Sequence, residues 1–245
     1  MPDDLQKSFV ASIRSPLITD LVADTAEVAL DSVIEHEVLQ NVPLFATLVK
    51  IWRVGVGIRE RFFARKIFRF FAELASLTAS ERERFAEELE GDPERRRKVS
   101  ELFLIYLDRA DEERKAAHLA RVLSAHVRGE IDLGQARHFA SIIDRAYLPH
   151  LSYLAYIYDV QDDYFIRRGE QRTAVTHLMM LGLIDRHDLT WEAVQRKVES
   201  RVQASLTGFT EYRQNEDAQE FGRIVLMPDA PPDSRLGMLR GQLKK

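Results

Sequence analysis

The sequence predicts a mainly α protein. A helical bundle or array over residues 1–145 is followed by a winged-helix-like α+β module over 146–226 and a flexible tail over 227–245. Three observations predict it. Apolar residues recur at helical spacing with only short breaks as far as about Ala146. Cap signals punctuate that stretch: Thr78-Ala-Ser-Glu81, Asp92-Pro93 and Asp132. Beyond Ala146 the pattern changes to aromatic segments, a helix stopped by Gly182 and a β-like run. At 45% hydrophobic and 30% charged residues the composition is that of a packed globular chain, not a disordered one.

The elements follow in order. Asp20, Asp24, Glu27, Asp31 and Glu35 step by three or four residues, so Thr19 to Gln40 reads as a helix with an acidic ridge. Asn41-Val42-Pro43 stops it, and Pro43 suits the first turn of the next helix. Gly55 and Gly57 mark a bend before Ile58 to Phe71, IRERFFARKIFRFF. The paired Thr78/Glu81 and Ser80/Glu83 signals open a charged helix that ends at Gly91. Asp92-Pro93 starts another, running to about Leu107. Asp111 is the expected cap of a helix closed by Gly129, and Asp132 that of one running to about Ala146. Further on, Gln171 to Leu181 reads as a helix, Leu206 to Arg213 as a strand and Asn215 to Leu226 as a closing helix. That order is winged-helix-like, although Thr190–Ala204 is more helical than a plain wing.

Charge is segregated. Residues 1–49 hold eight acids and two bases, a net −6, while residues 50–72 hold seven bases and one acid, a net +6. Ile58–Phe71 carries five of the 13 phenylalanines. Phe63, Ile67, Phe70, Phe71 and Leu74 fall on one helical face, and Arg61, Arg65 and Arg69, flanked by Lys66, on the other. Phe62 falls among the cations. Four readings stay open: a core helix with a solvated back; an arginine ridge facing the chain's own acidic ridge, Asp24 and Asp31 included; the same complementarity between two chains; or a membrane surface, with Trp52 and the phenylalanines at the acyl boundary. The longest apolar stretch, Val42–Ile58, spans 17 residues and contains Lys50 and Arg53, which argues for a buried or interfacial segment over a spanning one.

The residues Val42-Pro43, Val49-Lys50, Gly57-Ile58-Arg59-Glu60-Arg61-Phe62 and Lys66-Ile67 resemble the core of a widespread, uncharacterised bacterial family with a helical array and a winged-helix-like end. The N-terminal half is also distantly similar to the abortive-infection alpha group, associated with defence against phage. The resemblance implies a role in defence and supplies no catalytic residues.

Chemistry-bearing motifs are sparse. His36-Glu37-Val38-Leu39-Gln40 has glutamine where a zinc protease helix has its second histidine. His118 and His126 stand eight residues apart, too far to share an ion alone. Asp159, Asp162 and Asp163 lack the spacing of a calcium loop. There is no phosphate-binding or nucleophile-elbow glycine motif and no cysteine, which removes thiolate chemistry and fits a reducing compartment. The expectation is therefore a non-enzymatic, cofactor-free, cytoplasmic interaction protein, acting on a protein partner or a second copy and peripheral to the membrane at most. Its contact residues are Trp52, Arg61, Phe62, Arg65, Lys66 and Arg69, with Asp24 and Asp31. The alternative is a DNA-binding regulator using Arg167, Arg168, Arg172 and His177 as phosphate contacts, although the net charge of −4 gives no overall pull toward nucleic acid.

Overall fold

A computed structural model describes residues 2–19, 40–51, 57–155, 169–188 and 210–230. The fold is mainly α, and the chain divides into two compact units, Met1–Asp144 and Arg145–Lys245.

In the first unit, α1 (Asp3–Arg14) buries Phe9, Val10 and Ile13, and packs on α2 (Pro43–Ile51). A polar seam sets their register. Ser12 Oγ accepts from the Leu44 backbone N–H at 2.8 Å, satisfying one of the donors that the start of α2 leaves without an intrahelical partner. Ser8 and Thr47 meet hydroxyl to hydroxyl at 2.7 Å. After α3 (Ile58–Leu74) come α4 (Ala79–Gly91), α5 (Pro93–Arg109), α6 (Glu113–Val127) and α7 (Leu133–Arg145). Helix α6 is buried on nearly every side and packs most extensively on α3. Its alanines, Ala116, Ala117, Ala120 and Ala125, let neighbouring helices approach closely. An aromatic cluster ties α1, α3 and α5 together: Phe70 meets Phe71 edge-on at 5.4 Å, Phe9 lies 6.2 Å from both, and Phe103 lies 6.1 Å from Phe70.

The caps show why the helices begin where they do. Thr78 Oγ1 accepts from the Glu81 N–H, and the Glu81 carboxylate accepts from the Thr78 N–H at 2.7 Å, a complete capping box. Asp92 accepts from the N–H groups of Glu94 and Arg95, with Pro93 in the first turn of α5. Asp132 and Gln135 bond reciprocally at the head of α7. Gly129 takes the left-handed conformation, φ 74°, that closes α6. Asp111 does not cap α6 as predicted. Glu112 holds that position without a side-chain cap bond, and Asp111 instead pairs with Lys115 at 2.8 Å.

In the second unit, α8 (Leu148–Leu151) runs into a 3-10 turn at Ser152–Ala155. Helix α9 (Gly169–Met180) is closed by Gly182, φ 76°. Strands β1 (Ile184–Asp188) and β2 (Thr210–Gln214) pair antiparallel, with Ile184 opposite Gln214. Strand β2 overlaps the predicted strand Leu206–Arg213 at residues 210–213, and residues 206–209 lie outside the described residues. Asn215 caps α10 (Glu216–Phe221) through the Ala218 N–H and donates to the Gly182 carbonyl at 2.7 Å. The chain continues in a π turn at Gly222–Leu226. The expected tail begins with a 3-10 turn at Met227–Asp229 and the buried Ala230, and its remainder, 231–245, lies outside the described residues.

Candidate interaction surface on the third helix

Helix α3 has two ends of different character. From Ala64 onward its apolar side chains are buried: Ala64, Ile67, Phe68, Phe70, Phe71, Ala72 and Leu74. Its first turns are not. Ile58 is 75% exposed and Phe62 48%. Phe62 stands where the helical wheel put it, among the cations.

Those cations differ in what they do. Arg65 reaches Glu113 on α6 at 2.8 Å, with both side chains partly shielded. Arg69 lies 3.9 Å from Glu73, which is also held by Arg121 of α6 at 2.7 Å, a largely buried pair. Arg59 is 82% exposed and meets Asp108 of α5 at 3.4 Å, a contact that contributes little in water. Arg61 is partly buried.

Lys66 departs from the expected solvated face, because it is buried. Its ammonium donates to the backbone carbonyls of Asp108 and Ala110 at 2.8 and 2.9 Å, at the C-terminal end of α5. Those carbonyls have no partner within α5 and carry the negative end of the helix dipole, so a cation from α3 completes the end of α5. Burial pushes the Lys66 ammonium below the usual lysine value. Asp108 thus receives Arg59 on its side chain and Lys66 on its backbone. Ile105, 52% exposed, stands one turn earlier on the same face of α5. Ile58, Phe62 and Ile105 are large apolar side chains left in water, the first two near Arg59 on α3 and the third one turn from its partner Asp108 on α5.

The other sequence candidates divide plainly. Trp52, Asp24, Asp31, Arg167 and Arg168 lie outside the described residues, as do the side chain of Arg172, the near-motif at His36-Glu37 and the acids Asp159, Asp162 and Asp163. His118 is buried on α6. His126 Nδ1 lies 3.0 Å from the Ile131 carbonyl oxygen, and the His126 ring packs edge-on to Phe85, so it is a packed residue of the helix end. His177 faces another histidine, His150, at 3.2 Å. Sequence reasoning did not single out Ile105 or His150: each depends on a helix pairing that local spacing does not encode. Among the described residues no three His, Asp or Glu side chains gather to hold a metal ion, and no helix is long and apolar enough to cross a membrane. Compared with protein-family models, with curated proteins and with solved structures, the chain matches none.

Proposed function

We propose that this is a non-enzymatic interaction protein that docks through the exposed start of α3, and that its partner is a second copy of the chain. The observation that carries the reading is the exposure of Ile58 and Phe62 beside Arg59, on a helix whose apolar residues from Ala64 onward are core. A partner for that surface needs apolar area ringed by acids. The acidic half of that complement is present in the chain's own sequence: Asp20, Asp24, Glu27, Asp31 and Glu35, which lie outside the described residues, are spaced to make one acidic stripe on a helix, with Val22, Ala26, Ala29 and Val33 on another face. The resemblance to the abortive-infection alpha group supports a setting in bacterial defence, as an accessory or effector acting by contact.

The test is sedimentation velocity at low and high salt. Self-association that weakens with salt, is lost in Arg59→Glu and returns in the combination of Arg59→Glu with Asp24→Lys and Asp31→Lys supports the reading. A monomer at every concentration and low salt sinks it. If the monomer instead co-sediments with vesicles of anionic lipid, the same surface serves a membrane.

A second reading keeps the C-terminal unit as a winged-helix-like DNA-binding module. It is favoured by the antiparallel pairing of β1 with β2 directly after α9. Mobility-shift assays on duplex DNA at low salt test it: binding abolished by reversing Arg167, Arg168 and Arg172 to Glu supports it, and no shift of the native protein ends it.

A further inference from the structure

In the C-terminal unit, two imidazoles from separate elements meet nitrogen to nitrogen. His150 on α8 and His177 on α9 place their Nδ1 atoms 3.2 Å apart, with ring centroids 5.3 Å apart and planes at 66°. The helices pack together, and each buries apolar residues beside the pair: Leu148 and Leu151 on α8, Val175 and Leu178 on α9. Tyr147 sits edge-on to the His150 ring at 4.9 Å and helps fix its orientation. Both histidines are only half-buried, so solvent reaches them.

Two neutral imidazoles at this distance can share one hydrogen, which requires an Nδ1–H tautomer on one ring and a bare Nδ1 on the other. With both Nδ1 atoms bare, an ion can take the place of the shared hydrogen. Zinc–imidazole bonds run about 2.0–2.1 Å, so two nitrogens 3.2 Å apart subtend roughly 100° at a shared ion, close to the tetrahedral value. The separation of the two nitrogens therefore matches the bite of a chelate.

We propose that His150 and His177 form a two-nitrogen site for a divalent transition-metal ion of borderline softness (Zn²⁺, Ni²⁺ or Cu²⁺) that joins α8 to α9, with water completing the coordination. Imidazole suits these ions, whereas Mg²⁺ and Ca²⁺ prefer oxygen donors. With two protein nitrogens the site binds more weakly than a closed four-ligand structural zinc site and leaves positions open to an outside donor.

The full chain, stripped with chelator, is titrated with Zn²⁺, Ni²⁺ and Mg²⁺ by calorimetry, and the Cu²⁺-loaded protein is read by electron paramagnetic resonance. The expected result is saturable one-site binding of Zn²⁺ and Ni²⁺ but not Mg²⁺, and a copper spectrum with splitting from two nitrogens. His150→Gln and His177→Gln each lower the affinity by at least about tenfold, the lower bound of what loss of a mere supporting group costs a metal site. The copper spectrum reads the native protein, so the test survives a variant that fails to fold. No binding by the native protein, a spectrum without two nitrogen ligands, or native affinity in both folded variants overturns the assignment.

Discussion

The two ends of α3 share one composition, phenylalanine interleaved with cations, and have opposite roles. Near the C-terminal end, Phe70 and Phe71 are fully buried in the cluster with Phe9 and Phe103, and Glu73 binds Arg121 across the α3–α6 interface. At the N-terminal end, Phe62 and Ile58 remain in water and Arg59 makes one long, exposed contact. Lys66 marks the boundary, with a buried head that completes a neighbouring helix. An aromatic-basic composition therefore does not define a surface. What defines it is which residues another helix has already taken.

Substitutions along α3 sharpen that contrast. Phe70→Ala or Phe71→Ala should cost about 3–5 kcal/mol in chemical denaturation, whereas Phe62→Ala should stay within about 0.5 kcal/mol of the native protein. Equal losses would erase the division. Next in size, Glu73→Ala removes the carboxylate that accepts from Arg121 Nε at 2.7 Å in a largely buried site. A loss of about 3 kcal/mol is expected, at the lower end for a broken buried pair because Glu73 retains some exposure. Lys66→Met should cost about 1–3 kcal/mol by stranding two backbone carbonyls, while Arg59→Met, seven residues away, should change stability by no more than about 0.5 kcal/mol. A silent Lys66→Met would mean that the end of α5 finds other partners.

A more modest loss is expected outside α3, at the capping box that starts α4. Thr78→Ala should cost about 1 kcal/mol. The backbone N–H of Thr78, followed by its side chain, holds the Glu81 carboxyl below its usual 4.5. A carboxyl depressed on folding contributes stability that is fully present above its unfolded value and lost as pH falls through the lower folded value. Below pH 4.5 the native protein should therefore lose more stability than Glu81→Gln does, and parallel acid curves for the two would contradict the box.

What the sequence made legible was local. The pair Thr78/Glu81, the Asp92-Pro93 start, the Asp132 cap and the Gly129 and Gly182 stops each close within a few residues, so spacing alone reveals them. The inward face of α3 was legible for the same reason, through Ile67, Phe70, Phe71 and Leu74. Lys66 was not, because its partners are carbonyls at 108 and 110 whose availability depends on where another helix ends. Strand β1 was missed since Ile184 and the four polar residues after it become a strand only by pairing with residues 210–214. Asp111 looked like a cap and became the ion partner of Lys115, a choice set by the burial of that lysine on α6. The meeting of His150 and His177 across 27 residues left no trace in spacing.

The start of α3 is the proposed contact surface, whereas its apolar side chains from Ala64 onward are core. Sedimentation velocity of Phe62→Asp at low salt, with its thermal melt in parallel, tests it most directly. A monomer with a native melting temperature is expected where the unaltered chain self-associates. Undiminished self-association, or a variant that unfolds as Phe70→Ala does, would contradict it.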